Sequence, residues 1–227
     1  MLAEAPRSAT RSGAPAYQAR ELCPKRTRYC IVITTWNEGA RIRGQLERMR
    51  PNAHLADIVI ADGDSSDGST EEGFLRSCGV RTLLVTRERG LGTALRMGFD
   101  YALAQGYEGV VTVDGNGKDG VGAIPEFLRL LDQGYDFIQG SRFVRGGSHK
   151  NTPLGRRLAI VLLASPIIWW GGGRWYTDPT NGFKGLSRRY LTDPRVQPVR
   201  HIFERFNMQI YLNVSAEAGL SRARDSR

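Results

Sequence analysis

Sulfur and imidazole are both scarce in this 227-residue chain, which has three cysteines and three histidines. Cys23, Cys30 and Cys78 are odd in number and include no C-x-x-C pair. That argues against a disulfide framework or a zinc site and for a reducing compartment. His54, His149 and His201 are scattered without ligand spacing. Long apolar runs are also absent. The longest, residues 158–170, is interrupted by Ser165 and Pro166 and is shorter than a bilayer span requires. It reads as a buried helix, with a membrane-facing helix as the alternative. No signal-peptide core opens the chain, so the triplet Asn213-Val214-Ser215 lacks the secretory context that would make it a glycosylation site. A G-x-x-x-x-G-K-S/T phosphate loop is missing, which weakens a kinase or ATPase reading. No helix-turn-helix, zinc finger or aromatic stacking motif points to nucleic acid.

What is present is an ordinary globular composition, 41% hydrophobic and 24% charged, with a net charge of +9. The length fits one domain with a sizeable core. The positive balance favours an anionic partner such as a nucleotide or a phospholipid surface. Residues 1–27, rich in Ala, Arg, Ser and Pro, are expected to be a flexible basic tail. Short β-branched runs at 29–34, 57–61, 80–86 and 109–113 predict strands buried on both faces. Helical patterns at 40–49, 71–78, 92–105 and 124–133 alternate with them, and 136–140 predicts a further short strand. Such alternation implies right-handed βαβ units and a mostly parallel sheet flanked by helices. Ligands of such sheets bind beyond the carboxyl ends of the strands. The polar segments 34–38, 62–67 and 114–119 each follow a strand and are expected to converge on that edge.

Asp114-Gly115-Asn116 ends the run Val110-Val111-Thr112-Val113. Two oxygen-bearing side chains separated by glycine can approach Mg²⁺ or Mn²⁺ together, and the same three residue types also make turns. Asp62-Gly63-Asp64-Ser65-Ser66-Asp67-Gly68 is a second acidic loop. It fails as an EF-hand, because Asp67 and Gly73 occupy the positions that need glycine and glutamate. Asp62 is a candidate to accept bonds from a base or ribose, and Asp67 a candidate helix cap. Gly90-Leu91-Gly92-Thr93-Ala94-Leu95 lacks the third glycine of a dinucleotide fingerprint and reads as a tight turn into a helix near the ligand. Arg142 and Arg145 lie in a glycine-rich segment suited to phosphate. Asp178 is a candidate general base, or a turn residue before Pro179.

In this order the segments resemble the family-2 glycosyltransferases of the GT-A fold, and among them the polyprenyl- or dolichol-phosphate mannose synthase-like branch. Residues 31–38 look like the opening P-x-x-N-E motif, with Thr34 to Trp36 departing from its proline. Residues 62–68 look like D-D-G-S-T-D-G, with Gly63 in place of the second aspartate. Gly90-Leu91-Gly92-Thr93-Ala94 is similar to G-K-G-x-A, Gly140-Ser141-Arg142 to G-S-R, and Asp178 to Phe183 to D-x-x-S/N-G-F. Asp114 and Asn116 occupy the D-x-D place, with an amide where the second carboxylate stands.

The resemblance implies a single catalytic domain at 28–214, with a nucleotide-sugar half at 28–116 and an acceptor half at 117–214. It leaves 215–227 as a polar tail, the end of either a minimal soluble form or a truncated one. It implies an inverting transferase that moves a sugar from a UDP- or GDP-sugar to a polyprenyl phosphate or a saccharide. The implied nucleotide-binding residues are Thr35, Asn37, Glu38, Asp62, Gly90, Gly92 and Asp114. Arg142, Arg145 and Asn181 would meet phosphate or acceptor, Asp178 would be catalytic, and Asp114 and Asn116 would hold Mg²⁺ or Mn²⁺. The expected location is cytoplasmic with peripheral contact at the inner face of the membrane. The alternative reading is a nucleotide-sugar-binding protein whose catalysis is impaired.

Overall fold

The computed structural model describes residues 13–142, 165–172, 176–205, 207–216 and 223–226. Its centre is four parallel strands: β2 (Tyr29–Thr35), β3 (Asp57–Asp62), β4 (Val80–Val85) and β5 (Gly109–Asp114). Each is almost wholly buried, as the continuous apolar runs predict. Their side chains alternate between two cores. Cys30, Val32, Val59, Ala61 and Val110 face one way, and Ile31, Ile33, Ile58, Ile60, Val111 and Val113 the other.

Helices α1 (Ala40–Met49), α2 (Glu72–Ser77) and α4 (Ile124–Asp132) cover the second face, and α3 (Leu91–Ala104) covers the first. The sheet order is β1-β4-β3-β2-β5-β7-β6-β8, with β1 at Gln18–Glu21, β6 at Phe137–Gly140, β7 at Lys184–Ser187 and β8 at Ala223–Ser226. The chain moves outward from β2 to β3 and β4, then returns through α3 to place β5 on the other side of β2. This reversal opens a crevice at the carboxyl ends of β2 and β5.

Beyond β5 the sheet becomes mixed. β7 (Lys184–Ser187) runs antiparallel to both β5 and β6 (Phe137–Gly140). Helices α5 (Ser165–Gly172), α6 (Arg188–Thr192) and α7 (Asn207–Ser215) complete the described elements, with α5 packed on α7. Among the described residues no helix is long and apolar enough to cross a membrane.

Three expectations change. β1 (Gln18–Glu21) pairs antiparallel with β4, so part of the segment expected to be a tail is an edge strand. Its polar residues hid it, because only one side of an edge strand needs a partner. β8 (Ala223–Ser226) likewise pairs with β6 inside the segment expected to be a C-terminal tail. On α5 the expected burial of 158–170 fails at Trp169 and Trp170, which are 51% and 89% exposed; residues 158–164 lie outside the described residues.

Gly98 lies mid-helix in α3, where glycine costs about 1 kcal/mol relative to alanine. A Cβ there would stand 2.4 Å from Val32 Cγ1, and Val32 is itself fully buried. Overpacking of about 1–3 kcal/mol then outweighs the helical gain. Gly98→Ala is expected to lower stability in a urea titration, and a stabilised variant would show that α3 can lift from β2.

Candidate active site

Register alone brings the first site residues together. Thr34 pairs with Asp114 across β2 and β5, and Thr35 pairs with Asp62 across β2 and β3. The ladders run one bond further, Gly115 N–H donating to Thr34 O at 2.8 Å and Gly63 N–H to Thr35 O at 3.0 Å. The crevice between them is a cleft of about 270 Å³ lined by Thr34, Thr35, Trp36, Glu38, Asp114 and Asn116, with Glu88 to Leu91 on its far wall. Trp36 packs over Gly63, and the Arg89 guanidinium lies 4.8 Å from the centre of its ring. Glu38 is held by Arg41 at 2.8 Å.

Other predicted residues are brought to the same edge but use their polar atoms within the protein. Asn37, at φ 51°, accepts the Ser66 N–H through its side chain while its own N–H donates to Ser65 Oγ, each at 2.9 Å. Asp62 accepts from Ser65 N–H at 3.0 Å and Ser65 Oγ at 2.6 Å. Burial nevertheless keeps its carboxyl above the ordinary range. Asp62 and Asn37 thus shape the two loops that frame the cleft. Gly90 and Gly92 lie against residues 203–205: Gly92 N–H donates to Glu204 O at 3.1 Å, and a Cβ at Gly92 would meet Phe203 O at 2.4 Å. Close passage of that backbone leaves no room for a Cβ at either glycine, and Gly90 also lines the cleft. Arg96, buried one turn along, donates to Phe203 O at 2.9 Å and clamps the same segment.

The 178–183 loop closes on the end of β5. A Cβ at Gly182 would stand 2.8 Å from Asp114 Oδ1, so glycine lets the loop reach the carboxylate. Asp178 is fully buried and bound by Arg142 through Nε at 2.6 Å, Nη2 at 2.9 Å and the backbone N–H at 3.2 Å. A carboxylate so occupied braces Arg142, a positioning role beside the general-base expectation. Asn181 donates to Gly140 O at 3.1 Å and fixes the loop to β6. Arg145 lies outside the described residues.

Two charged residues enter that the sequence reading missed. Lys184 is fully buried on β7, donating to Asn213 Oδ1 at 2.9 Å and to Gln139 Oε1. Asp119 folds back so that its Oδ2 accepts the Asp114 N–H at 2.9 Å. Burial raises the Asp114 carboxyl and Glu38 adds to this, while Lys184, a Thr34 hydrogen bond and Arg142 oppose it. Asp119 is pushed up to about 7, first by burial and then by the charge of Asp114. Neither was legible: Asp119 reads as one more loop acid, and β7 is too short to show a period.

Among the described residues no three His, Cys, Asp or Glu side chains gather as a metal site. The oxygens at the cleft are carboxylate, amide and the Thr35 hydroxyl, which is buried and unpartnered. That donor set suits a hard cation that takes its remaining ligands from phosphate and water.

The chain matches Glycosyl transferase family 2 over residues 30–203 and belongs to that family. Its curated relatives include polyprenol- and dolichol-phosphate mannosyltransferases. It is 30% identical to the polyprenol monophosphomannose synthase of Mycolicibacterium smegmatis, over 72% of this chain and 63% of that protein. It is 29% identical to the dolichol-phosphate mannosyltransferase of Pyrococcus furiosus, over 74% and 49%. The chain therefore spans about half to two thirds of the length of these relatives. Glucosyl-3-phosphoglycerate synthase from Mycobacterium tuberculosis, solved with Mn²⁺, UDP-glucose and phosphoglyceric acid, superposes with a TM-score of 0.61 at 19% identity, covering 87% of this chain and 68% of that one. This likeness establishes the GT-A fold.

The raised Asp119 gives a pH signature. Between its ordinary value of 3.8 and about 7, the folded chain holds a proton that the unfolded chain has released. Its contribution therefore weakens stability as pH rises through that window and is constant above it. Asp119→Asn removes the effect. The variant's melting temperature is expected to gain on the wild type from about pH 4 to about pH 7 and to keep a constant margin beyond; parallel profiles would show that Asp119 titrates normally.

Proposed function

We propose that the chain is the catalytic domain of an inverting glycosyltransferase that moves a hexose from a UDP- or GDP-sugar to a polyprenyl phosphate. The observation that carries this reading is the placement of Asp114 at the β2–β5 crevice, facing the 178–183 loop on one side and lining the cleft with Glu38 on the other. In this reading residues 28–116 hold the donor and residues 117–214 meet the acceptor. The nucleotide lies along the cleft of Thr35, Trp36 and Glu38, and its diphosphate ends at Asp114. Mg²⁺ or Mn²⁺ bound at Asp114 would supply positive charge to the departing diphosphate.

The state of Asp178 favours a phosphate acceptor over a saccharide. A sugar hydroxyl needs a base as it attacks, whereas a phosphate is already an anion. Asp178 spends its oxygens on Arg142, and the braced guanidinium is suited to orient an anionic acceptor. The names of the polyprenol- and dolichol-phosphate relatives support the same acceptor class. A peripheral position at the membrane follows from a lipid acceptor, and the exposed Trp169 and Trp170 are consistent with it.

Transfer of labelled sugar to polyprenyl phosphate, assayed across UDP- and GDP-sugars with Mn²⁺, tests the reading. Asp114→Ala is expected to lower kcat/KM at least about 100-fold, and metal-dependent turnover that survives this change would refute the assigned centre. The productive donor is expected to raise the melting temperature by roughly 5–10 °C at a hundredfold excess over Kd.

A further inference from the structure

We propose that the divalent cation of this site is held between the carboxylates of Asp114 and Asp119, and that Asn116 serves the turn joining them. The proposal rests on the donor reading above and assigns the second acidic ligand to a residue outside the D-x-N triplet. Asn116 Oδ1 accepts the Lys118 N–H at 3.0 Å, closing a local turn that spends its best oxygen. Gly117, at φ +74°, then reverses the chain. Asp119 returns to the strand end, where its Oδ2 bonds the Asp114 backbone at 2.9 Å. A carboxylate five residues along therefore takes the place that the amide at 116 leaves weak.

One buried polar side chain without a partner adjoins this loop, and a second lies on the helix that packs beside it. Thr35 Oγ1, on a residue 5% exposed, has no hydrogen-bond partner and lies 3.2 Å from where a Cβ of Gly115 would stand. Gln45 is 0% exposed and both atoms of its amide are unpartnered. It stands one turn from both Arg41 and Arg48 on α1, so the three share a helix face. Arg48 donates to Gly117 O at 3.1 Å, and Arg41 O lies 3.3 Å from a Gly117 Cβ position. The face that carries Gln45 is thus the one turned to the 114–119 loop. Buried amides and hydroxyls are ordinarily satisfied. A cation that retains several waters would give Thr35 and Gln45 their missing partners.

Mn²⁺ alone, titrated into the full chain and followed by loss of the free-ion electron paramagnetic resonance signal, tests the assignment. Asp119→Asn keeps an acceptor for the Asp114 N–H while removing the charge. It is expected to weaken Mn²⁺ at least about tenfold, and Asn116→Ala less than about threefold. Equal losses in the two variants, or wild-type affinity in Asp119→Asn, would overturn the proposal. So would a wild-type chain that binds no Mn²⁺. Where Asp119→Asn does not fold, Asn116→Ala decides alone: affinity within about threefold supports the assignment and a tenfold loss overturns it. Thermal stabilisation of the wild-type chain by UDP- or GDP-sugars at saturating Mn²⁺, over Mn²⁺ alone, reports the donor pocket separately. Failure there removes the donor reading whatever the Mn²⁺ affinities are.

Discussion

The parallel pairing of β2 with β5 is the constraint on which the rest of the molecule depends. Ile31 to Ile33 pair with Val111 to Val113 in the middle of the sheet, where both faces are dry and a slip of one residue would turn each apolar side chain to the wrong core. That register sets Thr34 opposite Asp114 and lets Gly115 continue the ladder into the loop. It also sets where α3 must cross, because β5 can reach β2 only after the chain has passed back over β4 and β3. Apolar contacts thus specify, to the residue, where the hydrophilic crevice opens.

Around the end of β5 the structure gathers charges that a core would ordinarily exclude. Asp114, Asp119 and Asp178 are offset by Arg142 and Lys184, and Arg142 grips Asp178 directly through two hydrogen bonds of its guanidinium. Buried charges of this kind contribute little net stability, because desolvation cancels much of their attraction. Their worth lies in holding dipoles and charges in fixed positions before a substrate arrives. The two halves of the chain meet here: Asp114 and Asp119 come from the parallel part of the sheet and its loop, Lys184 and Asp178 from the antiparallel part.

Much of this was legible in the residues. Runs such as 29–34 and 109–113 announce buried strands because side chains on both faces must be apolar, and helix α1 was placed with its observed bounds. The D-x-N segment was located because polar residues directly after a buried strand have nowhere to go but the strand end, and the 178–183 loop by its resemblance to D-x-x-S/N-G-F. Less legible were elements whose partners lie far away in sequence. β1 and β8 sit at edges and carry polar residues, and β7 is four residues long. Roles were harder still. Gly90 and Gly92 carry the pattern of a ligand loop, and nothing in that pattern announces that residues 203–205 also crowd them. Asp178 has the chemistry of a base, but the arginine that occupies it lies 36 residues earlier.

That contact between Gly92 and Glu204 gives the domain a mechanical linkage. The first turn of α3 forms one wall of the cleft, and the segment that follows α6 is fastened to it by a main-chain bond and by the Arg96 clamp. A displacement of residues 203–205 is thereby passed to the wall of the cleft.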